Sequence, residues 1–411
     1  MGRIGGKLVT VVGALVLVIA LVAGCRTGRA YEEAGSAETV ARLRGERADR
    51  IVLRDGHLFV LAGSTVRCYL TSDGSLEWEV SVPLEERESM TEGYLLPPAP
   101  GQPAPAGLLL ELDRTEWVWH QGKTDATWRT RILFVTDGTV AWARGPLYSG
   151  GGSLTGDARV AVLCGSGEPF GELRTVVVDA VTGRELWQRP GGGRLASLQG
   201  EECLYFYTSR AEPAGEVTRL TVVDLDGRGI AVASWRATER GSQRVPPSQI
   251  KRVTVVARDG SHVRLRGRML ERCTATGQVV WSRDLPPGPD DYLLEVLPTG
   301  AAVAGGHVGG AGYLLVAYDL EGNRIWSSGD LRGKYWKWGT LGSGEVWWSA
   351  VDPRIGSRSL AIKGLTPDTL ARPARLWELG PVGWLHGLSA DGAYAVCSSD
   401  EENVILRLPG R

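Results

Sequence analysis

Six cysteines and five histidines are the residues of this 411-residue chain best suited to metal, redox or nucleophilic chemistry. Their spacing closes most of those routes. Cys25, Cys68, Cys164, Cys203, Cys273 and Cys397 include no adjacent pair and no C-x-x-C. His57, His120, His262, His307 and His386 form neither H-x-x-x-H nor H-E-x-x-H, which leaves a helix-borne zinc site unsupported. Ser153 follows Gly151 at the right distance, but Thr155 stands where a G-x-S-x-G nucleophile elbow needs glycine. The run Gly305-Gly306-His307-Val308-Gly309-Gly310 misses the phosphate-binding spacings and reads as a flexible connection between strands. Asp224-Leu225-Asp226-Gly227 lacks the third oxygen ligand and the distal Glu of a calcium loop, so it reads as a turn. No metal and no catalytic residue is expected. One thiol keeps a chemical prospect: Cys25 ends the small-residue stretch Val22-Ala23-Gly24-Cys25, behind the apolar run Leu8–Ala23.

The elements that must position any site come from a repeat. A glycine stands four residues ahead of a tryptophan in Gly74/Trp78, Gly138/Trp142, Gly183/Trp187, Gly277/Trp281 and Gly322/Trp326, with degenerate copies around Trp235 and Trp377. From Trp142 onward successive tryptophans lie 45, 48, 46, 45 and 51 residues apart, and Trp78 precedes Trp142 by 64. A fixed period of this size marks a solenoid or a propeller. In TVVVDAVTGRELW (Thr175–Trp187) an alternating strand runs into a Thr182-Gly183 hairpin turn, and a second strand carries the tryptophan. Glycine supplies the positive φ of the turn. The indole then fills the gap to the next repeat, and its N–H remains able to reach a backbone carbonyl.

These copies resemble the PQQ-type repeat of the quinoprotein-like β-propellers, a strand, D-x-x-T-G-x, then a strand ending in Trp. AYDLEGNRIW (Ala317–Trp326), RCTATGQVVW (Arg272–Trp281), CYLTSDGSLEW (Cys68–Trp78) and FVTDGTVAW (Phe134–Trp142) carry the likeness across nearly all of the chain after about residue 48. It implies an all-β propeller of four-stranded antiparallel blades. Enzymatic members of this class hold a quinone against adjacent, disulfide-linked cysteines and a calcium ion beside a catalytic aspartate. This chain is much shorter and has no Cys-Cys, so neither PQQ nor calcium is expected and an oxidoreductase is the least favoured reading.

Blade count depends on the ends. Trp384–Leu388, Ala393–Cys397 and Val404–Leu408 are three strands without a fourth, because the chain stops at Arg411. Thr39–Leu43 is strand-like and can supply it, which gives eight blades; seven blades with the tail packed outside is the alternative. The propeller is assigned to residues 50–411. The five cysteines beyond Cys25 fall in predicted strands, where a free thiol packs as a small apolar side chain. If any disulfide forms, Cys68 with Cys397 is the pair, since first and last blades are neighbours in a ring.

Residues 1–25 are similar to a bacterial lipoprotein signal: Arg3 and Lys7 form a short positive region, followed by the apolar run and the small residues before Cys25. The resemblance implies a diacylglyceryl group on the Cys25 thiol and cleavage before it; an uncleaved anchor helix is the alternative. Either places the propeller outside the cytoplasm, tethered to a membrane, and periplasmic if the cell is Gram-negative. Residues 26–49 read as a polar tether. Arg26 is not the aspartate that retains lipoproteins in some inner membranes. Of 46 basic residues the cleavage removes two and none of the 47 acidic ones, leaving a small negative charge with no basic stripe. Nucleic acid is not an expected partner.

Two aromatic clusters depart from the repeat. Trp117-Val118-Trp119-His120, with Trp128, sits in an insertion that lengthens the second repeat. Tyr335-Trp336-Lys337-Trp338 and Trp347-Trp348 open the seventh. Tryptophan on a strand is usually core. Trp117, Trp119 and Trp128 better fit an exposed binding surface, because the fold does not require the insertion and tryptophan carries much of the energy at interfaces. The expected function is a non-enzymatic, membrane-tethered scaffold that binds envelope proteins. In anchor, repeat type and approximate size the chain resembles the propeller lipoprotein subunits of the outer-membrane β-barrel assembly machinery. A propeller that binds a glycan or cell-wall fragment is the alternative.

Overall fold

The computed structural model describes residues 31–410 apart from 45–48, 55, 96–106, 200, 213–214, 237–252, 267, 288–291, 298–300, 309–311, 328–336, 342, 352–357, 364–373, 381–383, 390 and 399–401. Cys25, Tyr335 and Trp336 therefore lie outside the described residues. All regular structure among the described residues is β-strand, and no helix among them is long and apolar enough to cross a membrane.

The strands group in fours, each four an antiparallel meander. Blade 1 runs Arg50–Arg54, His57–Ala62, Thr65–Leu70 and Leu76–Ser81. Blade 2 uses Ser89–Glu92, Leu108–His120, Lys123–Thr136 and the first half of Thr139–Leu154, whose second half opens blade 3. Blade 3 continues with Val160–Ser166, Arg174–Asp179 and Glu185–Pro190. Blades 4, 5 and 6 begin at Gly193, Val253 and Tyr292 and end at Arg236, Asp284 and Ser327. Blade 7 spans Trp338–Thr340, Val346–Val351, Arg358–Lys363 and Ala374–Gly380. The last four-strand sheet joins Trp384–Leu388, Tyr394–Ser398 and Glu402–Arg407 to Glu38–Arg44 from the other end of the chain. Glu38 pairs with Arg407 and Arg44 with Glu402, antiparallel. This arrangement fits eight blades.

The core lies between blades rather than inside one. Eight apolar clusters each bridge two successive four-strand units, from Phe59/Leu110 across blades 1 and 2 round to Leu360/Leu406 across 7 and 8. The last of them, with Ile51, Val60 and Tyr69 against Val396 and Ile405, joins blade 8 back to blade 1. A strand face that would meet water in an isolated sheet is thus covered on both sides, and closure leaves only short edges.

The glycine–tryptophan pairs work across these seams. Gly183 turns its hairpin at φ +67°, and a Cβ there would sit 2.6 Å from Cγ of Trp142 in the preceding blade. The glycine is therefore required twice, for the turn and for the indole pressed on it. Gly138 lies against Trp78 and Gly322 against Trp281 in the same way. The Trp142, Trp187 and Trp281 Nε1 atoms donate to the carbonyls of Ala180, Leu225 and Leu320 at 2.6, 2.6 and 2.8 Å. Trp377, fully buried, donates to Pro409 at 3.1 Å. Trp326 packs on Trp348 with ring centroids 4.8 Å apart. Trp235 stands opposite Thr218 in blade 4, its side chain outside the described set. Gly277 turns at φ +83°. At the closure Ala41 takes the tryptophan's place, and Gly74 is pressed on it.

Three expectations need correction. Gly305–Val308 is not a connection: it belongs to the strand Ala302–Val308, paired with Gly312–Tyr318. A Cβ on Gly305 would meet Leu315 at 2.7 Å and the Trp338 ring at 2.9 Å, so glycine is there for close packing. Tyr31–Ser36, read as tether, adds a parallel fifth strand outside Ala374–Gly380, where blade 7 offers an unpaired edge. Cys68 and Cys397 form no disulfide with each other: they belong to different seams, between blades 1 and 2 and between 7 and 8. The Asp224–Gly227 segment is a turn, with the Asp224 carboxylate accepting from Arg228 N at 2.7 Å.

Candidate functional site

The insertion in blade 2 forms one long hairpin. Leu108–His120 and Lys123–Thr136 pair in continuous register from Val135↔Leu108 to Lys123↔His120. Gln121 and Gly122 turn it with φ of +49° and +83°, the two positive values that a tight hairpin turn uses. The inner half is apolar and buried. The outer half alternates, and alternation in a pleated strand sorts side chains onto two faces.

One face holds Thr115, Trp117 and Trp119 opposite Trp128, Ala126 and Thr124, and every one of these six residues is exposed. Trp117 is 72 %, Trp119 71 % and Trp128 62 % exposed. The three indoles make a ledge on a single sheet face. The other face carries the groups that hold the ledge still. Arg114 and Arg129 reach Glu85 at 3.3 and 2.8 Å, and Arg131 pairs with Glu88. Arg114 also pairs with Glu116, which accepts from the Tyr148 hydroxyl at 3.1 Å. The Arg114 guanidinium holds the Glu116 carboxyl below its ordinary range. Near the tip, His120 stacks on Phe170 with centroids 4.5 Å apart. A rigid, amphipathic aromatic surface loses little side-chain entropy on binding, the property that suits tryptophan to interfaces.

The second aromatic cluster behaves differently. Trp347 and Trp348 are buried in the seams on either side of blade 7, and the Trp338 ring lies over Gly305 of blade 6. They are packing residues.

A second feature emerges only from the folded chain. An open cavity of about 510 Å³ lies between blades 1 and 2, lined by Arg50, Arg54, Glu92, Tyr94, Glu111 and, from blade 3, Gly152 among others. Arg54 is almost fully buried, donates to the Gly107 carbonyl and lies 5.4 Å over the Phe59 ring. Burial brings its pKa down to about 10, so it stays charged near neutrality. Burial pushes the Glu92 carboxyl up against the opposing pull of Arg50, Arg54 and Lys337. Burial also lifts Glu111 to about 7, although Gly152 N donates to it at 2.5 Å. Arg54 Nε and Glu92 Oε2 have no hydrogen-bond partner among the described residues, which leaves one donor and one acceptor on residues that line the cavity. Such a set suits a small polar ligand bearing both kinds of group. The sequence signal was slight: a lone carboxylate inside Leu108–Leu112, and an arginine closing Ile51-Val52-Leu53.

No protein-family model matches the chain, and no curated protein matches it. Solved structures do. BamB from Moraxella catarrhalis is similar at 14 % identity and a TM-score of 0.47, covering 90 % of this chain and 99 % of its own. The C-terminal WD40 domain of Sif2 is similar at 11 % identity and a TM-score of 0.46, covering 92 % and 99 %. The Dos1 propeller is similar at 9 % identity and a TM-score of 0.47, covering 91 % and 96 %.

Proposed function

We propose that this chain is a membrane-tethered, non-enzymatic β-propeller that serves as a protein-interaction scaffold in the cell envelope, with Trp117, Trp119 and Trp128 as its working surface. One observation carries the reading: the three indoles share the outer part of a sheet face, where Thr115, Trp117, Trp119, Thr124, Ala126 and Trp128 are all exposed, while the opposite face is tied down by ion pairs. Tethering rests on the Val22–Cys25 processing pattern, and the same anchor, repeat type and size favour a place in outer-membrane protein assembly. A photo-crosslinking residue at position 119 in the anchored protein is expected to trap a discrete envelope protein. Cross-links that appear equally from Asp125, on the other face, or only to glycan would contradict the reading. The anchor is tested separately. Cys25→Ala is expected to accumulate as unprocessed precursor without lipid label, and equal lipid incorporation would remove that part.

The cavity favours a second reading, a propeller that binds a small polar ligand, because Arg54 and Glu92 line it with atoms that have no hydrogen-bond partner among the described residues. Arg54→Met would then abolish ligand binding and leave the cross-link from position 119 intact.

A further inference from the structure

We propose that blade 1 holds a zinc site formed by His57, Cys68 and Glu77. Three adjacent strands each supply one ligand: His57–Ala62, Thr65–Leu70 and Leu76–Ser81. The three ligand atoms lie within 4.8 Å of one another. His57 Nε2 is 3.3 Å from Glu77 Oε2, and Cys68 Sγ is 3.5 Å from the same oxygen. Tetrahedral zinc with ordinary Zn–N, Zn–O and Zn–S bonds sets its ligand atoms about 3.4 Å apart for N and O and about 3.6 Å apart for S and O. These two separations are met as they stand, and the third, His57 Nε2 to Cys68 Sγ, lies within 4.8 Å where zinc sets about 3.6 Å. His57 also has a buried Nδ1 without a hydrogen-bond partner among the described residues.

Local geometry explains how the three meet. Phe59 pairs with Cys68, so His57, two residues earlier, shares the face of the thiol. Glu77 reaches that face through a bulge, since Cys68 pairs with Trp78 and Tyr69 with Leu76, leaving Glu77 extra. A bulge re-aims a side chain in this way. The same bulge recurs in other blades, where its extra residue is Val40, Ala141, Leu186, Ile230, Val280 or Ile325. Blade 1 alone among these puts a carboxylate there, and aims it at a histidine and a cysteine.

The donor set of nitrogen, thiolate and carboxylate suits zinc, and three protein ligands leave a fourth place for water. Cys68 is buried, while Glu77 is part-exposed, so the fourth position opens on the Glu77 side. On binding, the Cys68 S–H bond breaks, sulfur bonds the metal, and the proton passes to solvent. No spacing rule finds the site, because its ligands are 11 and 9 residues apart on strands that only the blade brings together.

The test is cobalt titration of the full chain in detergent after chelator treatment. One cobalt per chain is expected, with thiolate-to-cobalt charge-transfer absorption that zinc abolishes by displacement. Cys68→Ser should lose that absorption. Glu77→Gln, at a part-exposed position, should keep the fold by circular dichroism and weaken metal binding at least tenfold. Absence of the charge-transfer band at saturating cobalt would overturn the proposal. So would an unchanged band in Cys68→Ser, or wild-type affinity in a folded Glu77→Gln.

Discussion

At the scale of the residue, burial decides which charges matter. His262 is fully buried, and burial takes its pKa down to about 4 from 6.5. A depressed folded pKa means stability that is complete above 6.5 and is lost as pH falls toward 4. Glu111 runs the other way, because burial raises it to about 7 from 4.5. Its contribution is complete below 4.5 and is lost as pH rises through 7. Between pH 7 and pH 5 each effect is worth about 2 kcal/mol with opposite sign. Relative to the parent, Glu111→Gln is expected to lose about 2 kcal/mol of denaturant stability on going from pH 7 to pH 5. A variant with the parent's pH dependence would contradict the assignment. The glycine–tryptophan seam makes a second residue-scale prediction. Trp187→Ala removes a part-buried indole and its bond to Leu225, and should cost about 3–5 kcal/mol in unfolding experiments. A loss below about 1 kcal/mol would mean that the seams do not hold the ring.

At the scale of the element, the strand Glu38–Arg44 is the informative piece. It is distant in sequence from Glu402–Arg407 yet completes that sheet, and Val40, Ala41 and Leu43 pack into the seam with blade 1. Deleting residues 38–44 leaves an open edge and uncovers Ile405. The truncated protein should melt lower and aggregate on heating. Melting at the parent temperature would favour seven blades with a different closure. The repeat itself was legible beforehand, because Gly183 and Trp187 are near neighbours whose spacing is set by one hairpin. So was this closing strand, since three strands after Trp377 demanded a fourth. The strand at Tyr31–Ser36 was not, for it pairs in parallel with an edge whose availability no local pattern records. Gly305 misled for a related reason: its neighbour is the ring of Trp338, in the next blade.

At the scale of the whole molecule, the packing of the blades and the exposed aromatic surface use different tryptophans. The seams consume the repeated tryptophans, and Trp347 and Trp348 with them. Trp117, Trp119 and Trp128 stay outside the seams, on the outer half of the blade 2 hairpin whose inner half packs into the seam with blade 1. That surface was legible as an insertion rich in tryptophan. Its single-sidedness was not, because it follows from the pairing of Trp128 with Thr115, which puts the third indole beside the other two. The charged cavity between blades 1 and 2 was hidden more deeply. Arg54, Glu92 and Glu111 are each unremarkable in the sequence and meet only because two blades stand side by side.

Whether the ledge binds while the seams hold is tested most directly by comparing Trp117→Ala/Trp119→Ala/Trp128→Ala with Trp187→Ala for thermal stability and for capture of the protein cross-linked from position 119. The triple variant is expected to melt within a few degrees of the parent and to lose capture, since interface tryptophans typically contribute about 2 kcal/mol or more each. Trp187→Ala should melt far lower. A triple variant that unfolds as early as Trp187→Ala, or one that still captures the partner at parental affinity, would contradict the account.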